Sequence, residues 1–315
     1  MKIESHLHDV HVVFGGMQVK ESCIGRREVL IGGIGAVTGL TLTTSCSQFG
    51  GFQLGKKHEQ GFKIGVCDWT IGKRTDPGSL ETAKKLGLDG VQVDFGGGES
   101  ELPLFNAELQ KRFLEEAKKH QVEIGSLALG VLNGVPYKSD PRAERWVDQS
   151  IDVCKAMGVT VVLVPFFGDA DLRNDKQGTD VVVERLKKVA PKAEKAGVIL
   201  GLESWLSAEQ HLEIIKRVGS PAVQVYYDVG NSHKAGYDIY QEIRQLGKQI
   251  CEFHAKDYDN LYGKGSIAFA EVRKAMDDIG FRGWIHIEGT EMPLGLEESI
   301  RYDAEYLRKL FPAKV

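Results

Sequence analysis

The sequence predicts an α/β protein, a single closed (β/α)8 barrel preceded by an N-terminal segment of different texture. Three observations predict it. After Gly61, short runs rich in Val and Ile alternate with longer amphipathic runs that carry Lys and Glu on one face, which is the texture of βα units. Eight of each can be counted, and together they occupy about 250 residues, the size of a barrel of eight parallel strands. An open doubly wound sheet would call for a G-x-G-x-x-G fingerprint after its first strand, and Gly65 and Gly72 lack that spacing.

Taken in order, the strands are expected at 62–69, 90–95, 123–129, 159–164, 198–203, 223–228, 250–254 and 284–288, each a short run dense in β-branched or apolar residues. The helices are expected at 79–86, 107–120, 141–157, 180–196, 208–218, 237–246, 269–279 and 296–310, where apolar residues recur with a helical period. Gly87, Gly158, Gly197 and Gly280 each stand just past a helix, where a left-handed cap favours glycine. Gly96-Gly97-Gly98 follows the second strand and reads as a turn, not a phosphate cradle.

The front of the chain is different. An uncharged stretch from Val29 to Leu42 is too short and too rich in glycine to span a membrane, which takes about 20 apolar residues, and reads as the core of a signal peptide. Arg26-Arg27 before it resembles the twin-arginine export signal, whose machinery carries folded proteins. Thr43-Thr44-Ser45-Cys46 resembles a lipoprotein cleavage box, with Thr43 where such boxes favour Leu. Residues 1–46 are therefore expected to direct export, with Cys46 the one candidate for a lipid anchor. Residues 47–61 are expected to be a tether and 62–312 the barrel. The expected location is periplasmic or membrane-anchored, and cytoplasmic if the segment is not a signal.

Charge excludes one class of partner. With 40 Lys and Arg against 44 Asp and Glu, there is no basic excess to neutralise a phosphate backbone, so nucleic acid is not an expected partner. Five cysteines without CxxC spacing are too few for a disulfide scaffold.

In such barrels the chemistry sits at the C-terminal ends of the strands. Four late strands close on a polar residue: Glu203, Asp228, His254 and Glu288, separated by 25, 26 and 34 residues, one βα unit each. Alternation sends Ile285 and Ile287 toward the helices and Trp284, His286 and Glu288 into the barrel; by the same rule Glu203 and His254 face inward. A single such residue is ordinarily solvated or hydrogen-bonded. Three carboxylates and an imidazole in one confined mouth would repel, and a divalent cation resolves the conflict. This donor set suits Mn2+ first, then Mg2+, with Co2+ or Zn2+ as competitors; a structural zinc would want cysteines.

The motifs Gly201-Leu202-Glu203, Tyr227-Asp228-Val229-Gly230-Asn231, Phe253-His254-Ala255-Lys256-Asp257 and Trp284-Ile285-His286-Ile287-Glu288 resemble those of the xylose isomerase-like TIM barrel superfamily of sugar phosphate isomerases and epimerases. The likeness covers about 62–310. It implies a metal-dependent enzyme acting on a small sugar or sugar derivative, with Glu203, Asp228, His254 and Glu288 as metal ligands and with Glu203 and Glu288 as the acid/base pair. Moving a proton beside a carbonyl passes through an enediolate, which a chelated cation stabilises. Return of the proton to the other face of the same carbon gives epimerisation, and return to the neighbouring carbon gives aldose–ketose isomerisation.

Further contacts follow from the same comparison. Ketose 3-epimerases carry a histidine three residues after the Asp ligand, where this chain has Asn231, an altered substrate contact; His233, two further on, is a second candidate. Lys256 and Asp257 are further candidates for binding substrate, and Trp69 for stacking on a sugar ring or for packing. Glu252 and His286 are each two residues below a ligand on adjacent strands, and are expected to meet beneath the metal and brace it. His120 and His211 read as surface residues. A homo-oligomer is compatible with the sequence.

Two rivals remain at this level. An endonuclease IV-type barrel needs a three-zinc cluster and additional histidines, but only five histidines follow residue 60. A noncatalytic carbohydrate-binding barrel is the other; the presence of both acid/base carboxylates disfavours it.

Overall fold

The computed structural model describes residues 61–258, 260–289 and 293–314. Residues 1–46, most of the tether and Cys46 lie outside that range. Eight strands run β1 (Lys63–Cys67), β2 (Gly90–Asp94), β3 (Glu123–Ala128), β4 (Val161–Phe166), β5 (Ile199–Ser204), β6 (Val223–Asp228), β7 (Ile250–Ala255) and β8 (Trp284–Ile287). Every strand pairs in parallel with its sequence neighbour, and β8 returns to β1, so the sheet closes on itself as a barrel. The helices are α1 (Ser79–Lys85), α2 (Ala107–His120), α3 (Pro141–Met157), α4 (Lys176–Ala196), α5 (Ala208–Val218), α6 (Val229–Lys234), α7 (Ile239–Leu246), α8 (Phe269–Asp278) and α9 (Leu296–Leu310).

Alternation along each strand divides the apolar residues between two layers. Ile64, Val91, Leu202, Phe253, Ile285 and Ile287 face outward and join Leu186, Ile243 and Leu307 of the helices in the main core. The lumen holds a smaller set, Ala128, Val161, Leu163 and Tyr226, with Trp69 against them. Near the N-terminal end of the strands the lumen is filled by Trp284 and His286, stacked at 5.2 Å. Glycines on neighbouring strands make room for these rings: a Cβ on Gly125 would lie 2.5 Å from His286 Nε2, and one on Gly65 2.5 Å from His286 Cδ2.

Three differences from the expected elements have local causes. Helix α4 starts at Lys176, four residues before 180, because the Asp175 side chain accepts from the Gly178 N–H and so caps a polar first turn that has no apolar period. Residues expected as loop after β6 form α6, nucleated when the Asp228 carboxylate accepts from the Asn231 N–H. Consequently α7 begins at Ile239, behind its own Asp238 cap, and not at 237. Gly87, Gly158, Gly197 and Gly280 all have positive φ, between 67° and 75°.

Candidate metal centre

Four strand ends deliver the four predicted ligands to one point. Glu203 is the penultimate residue of β5, Asp228 the last of β6, His254 the penultimate of β7, and Glu288 follows β8 directly. The backbone N–H of Glu288 still bonds to the Ala255 carbonyl at 3.0 Å, which holds the residue at the height of its neighbours. One ligand atom from each residue lies within 4.8 Å of all the others. From His254 Nδ1 the distances are 3.0 Å to Glu203 Oε1 and 3.9 Å to both Asp228 Oδ2 and Glu288 Oε2.

The imidazole is oriented from behind. Gln92 on β2 donates through Nε2 to Ser126 Oγ at 3.0 Å, which turns its carbonyl oxygen toward His254 Nε2 at 2.7 Å. Cys67 Sγ donates to the same oxygen at 3.2 Å. His254 therefore carries its proton on Nε2 and presents the Nδ1 lone pair to the carboxylates, the tautomer that binds a metal. Gln92 and Ser126 were missed in the sequence, although Gln92 and Asp94 alternate with Val91 and Val93 and the period-2 rule applied to β2 finds them.

The residues present fit a cation. Asp228 Oδ1 accepts from the Asn231 N–H, whereas Oδ2 is buried at the centre without a hydrogen-bond partner among the described residues. Burial pushes the Asp228 carboxyl up to about 7; Lys256 opposes this, and Glu288 and Glu203 add to it. For Glu288 burial works upward, but Lys256 and His254 outweigh it and hold the carboxyl down at about 2. His254 is likewise raised, because the fields of Glu203, Glu288 and Asp228 overcome the desolvation that would lower it. A cluster that seeks a proton in this way is one a hard or borderline divalent ion can serve instead.

Above the centre opens a cavity of about 590 Å3, lined by Glu203, Glu288, Trp69, Asn231 and Lys256 among others. Trp69 Nε1 donates to Glu288 Oε1 at 3.1 Å, and Lys256 Nζ donates to Glu288 Oε2 at 2.6 Å. Asn231 Nδ2 donates to Glu203 Oε1 at 3.4 Å. Trp69 is thus a cavity wall whose polar edge holds a carboxylate. Two predicted substrate contacts lie elsewhere. His233 bonds Ser266 Oγ at 2.9 Å from the exposed side of α6, outside the cavity lining. Asp257 is buried against the 265–267 segment, where the backbone N–H groups of Ile267 and Ser266 face its carboxylate. Strand alternation does not extend past a strand end, where both residues lie.

The expected meeting of Glu252 and His286 is also altered. His286 Nδ1 stands 3.6 Å from Glu252 Oε2, beyond a hydrogen bond, and is bonded instead to the Tyr226 hydroxyl at 2.8 Å. Tyr226 is the cause: on β6 it pairs in register with Glu252, and its hydroxyl takes up His286 Nδ1. Burial pushes the Glu252 carboxyl up to about 8 and drives His286 well down, so both are uncharged near neutrality. His211, expected on the surface, is 3% exposed. Its Nε2 meets Ser204 Oγ at 2.9 Å and its Nδ1 the Ser207 carbonyl at 3.1 Å.

The chain is similar to several known proteins. The chain is 24% identical over 177 residues to 2-epi-5-epi-valiolone 7-phosphate 2-epimerase of Actinoplanes sp., covering 56% of this chain and 65% of that protein. It is 27% identical over 125 residues to D-psicose 3-epimerase of Enterocloster bolteae, covering 36% and 42%. It therefore spans less than two thirds of the length of either relative. The solved structure of D-psicose 3-epimerase with D-tagatose from Clostridium cellulolyticum H10 superposes with a TM-score of 0.66 over 79% of this chain and 99% of that one, at 18% identity, a likeness of fold. A family model described as xylose isomerase-like TIM barrel matches residues 80–310, well over half of the sequence, and the chain belongs to that family.

Proposed function

We propose that this protein is a sugar isomerase, either an epimerase or an aldose–ketose isomerase, that moves a proton at a carbon next to a carbonyl. The observation that carries this reading is the pair Glu203 and Glu288: both line one cavity, both reach the same candidate metal centre, and each is held by a different partner. The epimerase names of the relatives support it. Glu203, Asp228, His254 and Glu288 would hold a divalent ion, Mn2+ in preference to Mg2+, Co2+ or Zn2+, which supplies a Lewis acid for a sugar carbonyl and its neighbouring hydroxyl.

The rest is done by side chains. Lys256 and Trp69 keep Glu288 ionised and aimed, as a proton acceptor requires, while Asn231 steadies Glu203 for the complementary transfer. Removal by one carboxylate and return by the other inverts the carbon. Lys256 also offers donors to a substrate oxygen. We further read residues 1–46 as an export signal, a location that favours a free sugar, a sugar acid or an oxidised glycoside over a sugar phosphate.

Metal analysis followed by incubation of the Mn2+-loaded protein with a panel of ketoses and keto sugars in D2O tests the proposal. Deuterium appears at a substrate carbon if a proton is exchanged. Glu203→Gln and Glu288→Gln are each expected to slow that wash-in at least ~100-fold, the scale of general acid–base catalysis. Unchanged exchange in either variant removes that residue from its role. A carbohydrate-binding barrel without turnover would bind panel sugars and incorporate no deuterium.

A further inference from the structure

The wall above Glu203 carries two cations that the proton-transfer chemistry leaves unused. Arg173, in the loop between β4 and α4, is braced by Asp171, which accepts from Nε at 3.0 Å and from Nη2 at 2.7 Å. Its guanidinium lies 4.4 Å over the ring of Trp205, and Trp205 meets Phe167 edge-on at 5.1 Å. Nη1 has no hydrogen-bond acceptor among the described residues. An arginine fixed by a carboxylate and an indole is preorganised, with one donor arm left free.

Lys234 ends α6, six residues after Asp228, so its backbone stands about 9 Å along the helix from that of Asp228 at about 1.5 Å per residue. Its Nζ lies 4.1 Å from the ring centroid of Tyr258 and reaches no carboxylate within ion-pair distance among the described residues. Tyr258 adopts φ 43°, a region that non-glycine residues seldom occupy, and its hydroxyl donates to Asn231 Oδ1. The Tyr237 hydroxyl donates to the Trp205 carbonyl at 3.0 Å, and Arg173 and Lys234 line the same cavity.

Charge counting gives this wall a direction. Arg74, Arg173, Lys234 and Lys256 line the cavity against Asp94, Glu203 and Glu288, with Asp228 beneath. With Asp171 on Arg173 counted, four cations face five carboxylates, so a divalent ion at the centre would leave the cavity with one net positive charge. A bare aromatic platform for a second sugar ring is disfavoured, since Arg173 already covers a face of Trp205 and Phe167 its edge. Resting on the proposed function and naming its substrate class, we propose that Arg173 and Lys234 form a subsite for an anionic group, a carboxylate or a phosphate, carried on the sugar at the end remote from the reacting carbons.

Binding without turnover tests this. Titration calorimetry on the Mn2+-loaded protein compares D-glucitol, D-gluconate and D-glucitol 6-phosphate, none of which has an aldehyde or ketone. At least one anion is expected to bind tenfold or more tighter than glucitol, and the comparison of the two anions identifies carboxylate or phosphate as the group. In the Arg173→Gln/Lys234→Gln protein the preference should fall below twofold, and Lys234→Gln alone, at an exposed position, should lower it without disturbing the fold. Equal affinities in the parent protein overturn the subsite. So does a preference that survives the double substitution, since the metal would then be the anion's partner. Absence of the preference in the parent protein with deuterium exchange intact removes the subsite alone; a preference without exchange on any sugar retains the subsite and removes the proton-transfer reading.

Discussion

At the scale of single residues, the centre depends on how each donor is aimed. His254 is useful as a ligand only while Nε2 keeps its proton, and that proton is held by Gln92, itself turned by Ser126. Gln92→Leu removes the acceptor and leaves a buried N–H unsatisfied. Mn2+ affinity, measured by calorimetry, should fall 10- to 100-fold, the range seen when a ligating histidine loses its outer partner. Retention of full affinity would show that the carboxylates alone orient the ring. Three of the ligands are buried, so their charges are screened little and removal of one is felt by all the others.

At the scale of elements, glycines and one histidine show two kinds of constraint. Gly158 ends α3 at φ 69° and a Cβ there would meet nothing within 4 Å, so Gly158→Ala is expected to cost only the left-handed backbone penalty, about 1 kcal/mol. Gly125 on β3 would drive its Cβ against His286, which stacked Trp284 and the Tyr226 hydrogen bond prevent from moving. Gly125→Ala should therefore cost about 1–3 kcal/mol as overpacking, and denaturant unfolding of the two variants should rank them in that order. His211 docks the first turn of α5, and burial lowers its pKa to about 4. Because the folded value is below the unfolded one, its contribution is present above pH 6.5 and is lost as pH falls toward 4. Replacing it by Gln should flatten the stability profile between those limits.

At the scale of the whole molecule, the barrel mouth is where closure of the sheet and binding of an ion are linked. The candidate ligands come from the ends of strands five to eight, so an ion held there would tie together half of the barrel. Binding adds RT ln(1 + [L]/Kd) to stability and competes with the protons that Asp228 and His254 retain. The rise in Tm on adding Mn2+ should therefore be small near pH 5.5 and grow as pH increases through 7, and a chelator should reverse it. A Tm shift independent of pH over that range would place the ion elsewhere.

The eight-unit rhythm was legible because strand and helix periods are local properties of the chain, and the helices at 107–120, 141–157, 208–218 and 296–310 have the expected bounds. The four ligands were legible for the same reason: each closes an apolar strand, and parity alone turns it inward. Gln92 obeyed that rule too, but its significance appears only when β2 stands across the lumen from β7. That Tyr226 of β6 would take up His286 was invisible, since which side chains meet in the lumen is set by closure of all eight strands.

Residues past the strand ends are not placed by strand alternation. His233 and Asp257 were therefore assigned to a cavity that they do not line, while Arg173, Trp205 and Lys234 were overlooked. What the sequence determined by itself was the inward facing of Glu203, Asp228, His254 and Glu288 at the candidate metal centre, because alternation along a strand needs no distant partner. What only the tertiary structure decided was which groups those side chains touch and which cations surround them, because those contacts join segments whose relative position is fixed by the closed sheet.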